Sequence, residues 1–170
     1  MKRNTRFNVH YVSRAAIIAA MYVLLTIMFQ PISFREMQFR VSEALTLLPL
    51  LMPEAIPGLF IGCLLANFLG GALWFDVVFG SLATLLAAFA VQRLRNRPFA
   101  AAAMPALFNG AIVGPVIYFG FLHSPGAAVN LPMLLTTAGS VALGEIAVCY
   151  TLGLILVKGL QRLPHGILKQ

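Results

Sequence analysis

Charge is what this chain has least of. Its 170 residues include five acidic and twelve basic side chains, so 10% are charged, where a soluble domain usually carries about 25%. Residues 98–144 contain no Asp, Glu, Lys or Arg at all. A membrane span needs about 20 mainly apolar residues, so that stretch alone is long enough for two. The only cysteines, Cys63 and Cys149, lie inside apolar segments, which excludes a disulfide framework and makes them small buried hydrophobes. His10, His123 and His165 are far apart in sequence and show no metal-ligand spacing. No Ser-His-Asp or His-Glu pattern recurs on helices either, so an intramembrane hydrolase or metalloprotease lacks support. No Gly-rich loop ending in Lys-Ser/Thr occurs, so this chain has no means of powering transport with ATP unaided. The first apolar segment lacks a small-x-small cleavage site after it and reads as an uncleaved span. With no linker, repeat or low-complexity tract, residues 1–170 are expected to form a single transmembrane domain.

What remains is strongly apolar. The chain is 60% hydrophobic, with a mean hydropathy of +0.89. Its net charge of +7 comes from bases that flank hydrophobic stretches, as topology signals and contacts to anionic lipid do. No basic stripe is interleaved with aromatics, so nucleic acid is not an expected partner. Lys2, Arg3, Arg6, Arg14, Arg93, Arg95, Arg97, Lys158, Arg162 and Lys169 all fall where a six-pass topology puts cytosolic segments. Only Arg35 and Arg40 fall elsewhere, near Glu36 and Glu43. The expected architecture is all-α, an integral membrane bundle of six helices with both termini cytosolic. A basic segment 1–12 leads into spans at about 13–32, 41–52, 55–72, 75–92, 99–122 and 131–157, followed by a basic tail 158–170. Pro105 and Pro115 are expected to kink the fifth. Residues 44–72 read either as two spans or as a re-entrant hairpin, in both cases shielded by other helices.

Ionisable groups inside spans are costly and each needs a reason. Glu145 lies about 14 residues into the last span, near mid-membrane. Its own helical neighbours offer no partner, so one must come from another helix or from a ligand. Arg40 and Glu43, three apart, share a helical face; they form either a local cap pair or the mouth of an outward-facing pocket. Asp76 is either an N-cap or a ligand group. Asn67 and Asn109 are interhelical glue or readers of a polar solute. Trp74 and Tyr118 belong to an aromatic belt or to the same pocket. On the first span, Ala15/Ala19 and Ala16/Ala20 are overlapping small-x-x-x-small pairs that would let another helix approach closely. Two further classes stay open: a self-sufficient oligomeric transporter, and a membrane enzyme, for which no nucleophile-base pair is found.

The basic N-terminus running into Ala-x-x-x-Ala, with six spans, resembles the substrate-binding (S) components of energy-coupling factor transporters. Within that group, Arg40-Val-Ser-Glu43-Ala-Leu-Thr-Leu-Leu-Pro49 is similar to the QueT family of queuosine-precursor transporters. So are Pro57–Asn67, Asp76–Thr84 and Leu143-Gly-Glu145. The resemblance implies a non-catalytic membrane subunit that binds a 7-deazaguanine-type base on the outer side. It implies a transmembrane coupling (T) subunit, contacted by the first-helix alanines, and two cytosolic ATPases as partners. ATP would be used by those partners, and no cofactor by this chain. The site it implies draws on Arg40, Glu43, Asn67, Trp74, Asp76, Asn109, Tyr118 and Glu145; an S component for another vitamin or nucleobase is the nearest alternative.

Overall fold

The computed structural model describes residues 9–29 and 40–162, and they are all-helical. Lys2, Arg3, Arg6, Arg35, Glu36, His165 and Lys169 lie outside the described residues, as do the end of the first expected span and most of the connection after it. Six helices follow one another: α1 Val9–Met28, α2 Val41–Leu50, α3 Ala55–Leu69, α4 Trp74–Arg93, α5 Pro98–Leu122 and α6 Leu131–Gln161. Helices α1, α4, α5 and α6 are long and apolar enough to cross a membrane. The other two are shorter. Fifteen residues of α3 rise about 22 Å, against a hydrocarbon core of about 30 Å.

Helix α2 sits at the centre. It is a ten-residue 3-10 helix with Pro49 inside it, and every residue from Ser42 to Pro49 is buried. Runs this long are uncommon because the hydrogen-bond geometry is poorer than in an α-helix; here packing on all sides holds it. Only α2 is fully shielded, however. Helix α3 turns Ile61, Leu64, Leu65 and Phe68 outward, so the expectation that all of residues 44–72 would be shielded is corrected for that face. An apolar stripe of this kind needs no polar partner where the surroundings are lipid.

Two seams of small residues bring the helices together. Ala15 and Ala19 of α1 lie against Gly58 and Gly62 of α3, and a Cβ on Gly58 would stand 2.6 Å from the Ala15 carbonyl oxygen. On the other side of the bundle, Gly110 and Gly114 of α5 meet Ala138 and Ala142 of α6, and a Cβ on Gly114 would stand 2.5 Å from the Ala138 Cα. In lipid, such close backbone approach replaces the hydrophobic drive that water supplies to soluble folds. Arg14 also pairs with Glu54 at 3.2 Å, tying α1 to the turn before α3.

Both expected kinks in α5 have a local counterpart. The helix is interrupted at Ala103 and restarts at Met104 with Pro105 in its first turn, and a π-turn, Tyr118–Leu122, follows Pro115. Proline removes an amide donor and clashes with the preceding turn, so the ladder must re-form around it. A second π-turn, Cys149–Gly153, interrupts α6 where Gly153 meets Leu47 of α2. At the start of α6 the Asn130 side chain caps the helix by accepting the Met133 N–H at 3.1 Å, with Pro132 in the first turn.

The α5/α6 seam gives a direct test. Gly114→Ala is expected to cost about 1–3 kcal/mol, because the backbone opposite must move. Gly139→Ala, with nothing within 4 Å of the added carbon, should leave stability unchanged or raise it by up to about 1 kcal/mol, as alanine does over glycine in a helix. Thermal unfolding in detergent measures both.

Candidate functional site

Polar side chains converge on α2 from four directions. Arg40, immediately before α2, sends its Nη2 to Asp76 Oδ2 on α4 at 2.7 Å, and both residues are buried. Arg40 thus reaches a residue of another helix, while Glu43 three positions on is held by other donors. Nor does Asp76 cap α4. That N-cap is Leu73, with no side-chain cap bond, and the Asp76 carboxylate turns inward. Room for it comes from Gly80, one turn on: a Cβ there would stand 2.6 Å from Asp76 Oδ1 and 3.2 Å from Asn67 Nδ2. Asn67 of α3 donates to the Asp76 backbone carbonyl at 3.2 Å and to the Cys63 sulfur at 3.5 Å.

Glu43 is completely buried on α2. Tyr22 of α1 donates its hydroxyl to Glu43 Oε1, and Thr84 of α4 reaches the same oxygen at 3.3 Å. Asp76, Gly80 and Thr84 stand four apart, so one face of α4 serves both carboxylates. Glu145 on α6 receives Asn109 Nδ2 of α5 at 2.9 Å, the interhelical partner its own helix lacks. It belongs to the same neighbourhood. Cys149, one turn along α6, meets the Glu43 carbonyl at 3.6 Å.

The pattern of satisfied and unsatisfied atoms is consistent across the cluster. Each of the three carboxylates has one oxygen held by a protein donor. The other oxygen of each, Glu43 Oε2, Asp76 Oδ1 and Glu145 Oε2, is buried with no hydrogen-bond partner among the described residues. The same is true of Asn67 Oδ1 and Asn109 Oδ1. A buried oxygen left without a donor costs about 1–3 kcal/mol, and native proteins rarely gather several without a purpose. These five atoms are acceptors, and one further buried atom of the cluster with no hydrogen bond to a described residue, Arg40 Nε, is a donor. A solute rich in N–H groups, or carrying a cation, is the chemical complement.

The remaining sequence-selected residues lie apart from the cluster's contacts. Trp74 is 65% exposed and stacks on Phe75. Tyr118 is buried, but its hydroxyl accepts the Asn130 N–H at 2.7 Å and meets His123 Nδ1 at 3.4 Å, pinning the loop between α5 and α6. On α1, Ala15 and Ala19 are spent on the contact with α3, whereas Ala16 and Ala20 are exposed. Two residues that composition did not single out are central, Tyr22 and Thr84. Their only sequence signals are spacing, Tyr22 three beyond Ala19 on the buried face of α1 and Thr84 eight beyond Asp76 on α4.

Residues 12–162 match the family described as QueT transporter. Over 139 residues the chain is 35% identical to the queuosine precursor transporter QueT of Lactococcus lactis subsp. cremoris, an alignment covering 78% of this chain and 81% of that protein. No solved structure matches.

Removing the carboxylate of the Arg40–Asp76 pair should be strongly destabilising, since a buried guanidinium loses the ion pair with Asp76. Asp76→Asn is expected to cost on the order of 3 kcal/mol, and Arg40→Met combined with Asp76→Leu to recover most of it. Chemical denaturation of the three purified variants provides the comparison.

Proposed function

The chain belongs to the QueT transporter family, and from that premise we propose that it is the substrate-binding subunit for uptake of a queuosine precursor, a 7-deazaguanine-type base. The family is one of transporters, not enzymes, and the chain is a multi-pass protein of the cell membrane. The observation that carries the substrate reading is the set of buried acceptor oxygens left open on Glu43, Asp76, Glu145, Asn67 and Asn109.

A guanine-like edge offers a ring N–H and an amino group side by side. Because each carboxylate already has one oxygen engaged, the donors of the solute would go to single oxygens on different residues. Charge-assisted hydrogen bonds of this kind are about twice as strong as neutral ones. An aminomethyl substituent, as a cation, would take a second carboxylate. The Asn67 and Asn109 amides already donate inward, so their open oxygens would accept from the solute as well. In this reading Arg40 holds Asp76 in place. Trp74 and Tyr118, at the same end of the bundle as Asp76 and the α5–α6 loop, would flank the entrance.

The topology we propose has six crossings, with α2 and α3 as the short pair and both termini cytosolic. The segregation of basic residues supports it. Energy would come from outside the chain, through a transmembrane coupling subunit and two cytosolic ATPases that use ATP. The outward-facing alanines Ala16 and Ala20 are the pair available to that coupling subunit, since Ala15 and Ala19 are covered by α3.

Equilibrium titration of the purified chain with 7-deazaguanines tests the substrate: saturable binding is expected, with adenine not competing. Glu145→Gln should weaken it by roughly 1–3 kcal/mol at unchanged expression, and unaltered affinity would remove Glu145 from the site. The partner is tested separately by co-purification. Ala20→Trp should abolish capture of the coupling subunit while leaving solute affinity within about twofold. Retained capture would move the interface off this face of α1.

A further inference from the structure

Glu43 differs from the other two carboxylates in what holds it. Asp76 is held by a guanidinium and Glu145 by an amide, whereas Glu43 is held by two hydroxyls that share one oxygen. Both hydroxyls have another acceptor beside them, the Cys63 sulfur for each and the Gly80 carbonyl at 3.1 Å for Thr84. The Tyr22 hydroxyl lies closer to Glu43 and is the firmer hold. Its route to Glu43 is built into the packing. Tyr22 is 1% exposed, and it passes between α1 and α3 because Gly62 has no side chain; a Cβ there would stand 2.8 Å from the Tyr22 Cβ. One turn further along α1, the Thr26 hydroxyl donates to the Tyr22 carbonyl at 2.9 Å and meets the Ser42 hydroxyl at 2.8 Å. That second bond joins the same two helices but touches no carboxylate.

The geometry assigns Tyr22 as a positioning residue for solute binding: by fixing Glu43 Oε1 it leaves Oε2 as the oxygen given to the solute. This rests on the site proposed above. A carboxylate free to turn about its terminal bond would bring either oxygen to Thr84 and would have to be ordered when the solute arrives. Holding one oxygen beforehand removes that ordering cost.

Tyr22→Phe and Thr26→Val, made in the full chain, separate positioning from mere attachment of α1 to α2. Each deletes one hydrogen bond between those helices, so each should lower the thermal midpoint by a similar amount. Only Tyr22→Phe is expected to weaken binding of an aminomethyl-substituted 7-deazaguanine, by about tenfold. Only Tyr22→Phe should shift the infrared carboxylate band of the solute-free protein that disappears in Glu43→Gln. A fluorinated tyrosine inserted at position 22, a stronger donor of nearly the same shape, should shift that band the opposite way. Equal loss of affinity in both variants, or an unmoved band, overturns the assignment. If the unaltered chain binds no deazaguanine, the substrate reading fails, and the infrared comparison still decides the role of Tyr22.

Discussion

A carboxylate buried among apolar helices is tolerable only where donors reach it, because desolvation otherwise costs several kcal/mol. Three such groups, Glu43, Asp76 and Glu145, are gathered here around one short helix. Each is answered by a residue from a different helix: Tyr22 of α1 and Thr84 of α4 for Glu43, Arg40 for Asp76, and Asn109 of α5 for Glu145. The mutual positions of the helices are thereby specified by polar contacts. Apolar packing alone would leave helices free to rotate and slide against one another at little cost.

The small-residue seams make those contacts possible. Where Gly58 and Gly62 admit α1, the α1 backbone comes close enough for Tyr22 to reach across to α2. Where Gly110 and Gly114 admit α6, Glu145 comes within hydrogen-bond distance of Asn109. The glycines at the edge of the bundle and the charges at its centre are parts of one arrangement. Larger residues in the seams would separate the donors from the carboxylates they hold.

The proposed function rests on what this arrangement leaves undone. The protein satisfies half of each carboxylate and keeps the other half open, which combines a stable fold with a site that still favours a hydrogen-bond donor. A fully satisfied network would bind nothing, and a fully unsatisfied one would not fold. Such a division suits the proposed capture of a small polar solute and accords with membership of a transporter family.

Much of this was legible in the chain. The all-helical character was legible in apolar segments of helix length, because hydropathy and the cost of moving charge are properties of local composition. The rarity of acidic residues drew attention to Glu43, Asp76 and Glu145, since each one in an apolar segment demands an explanation. The pairing was not legible. Arg40 reads as the neighbour of Glu43 but binds Asp76, and Tyr22 and Thr84 look like ordinary span residues. Nor could two overlapping alanine pairs be told apart until α3 was seen to cover Ala15 and Ala19 and leave Ala16 and Ala20 exposed. Sequence determined which groups are costly to bury; only the tertiary structure decided which partners meet them, because contacts between helices depend on rotation and depth, which no single segment encodes.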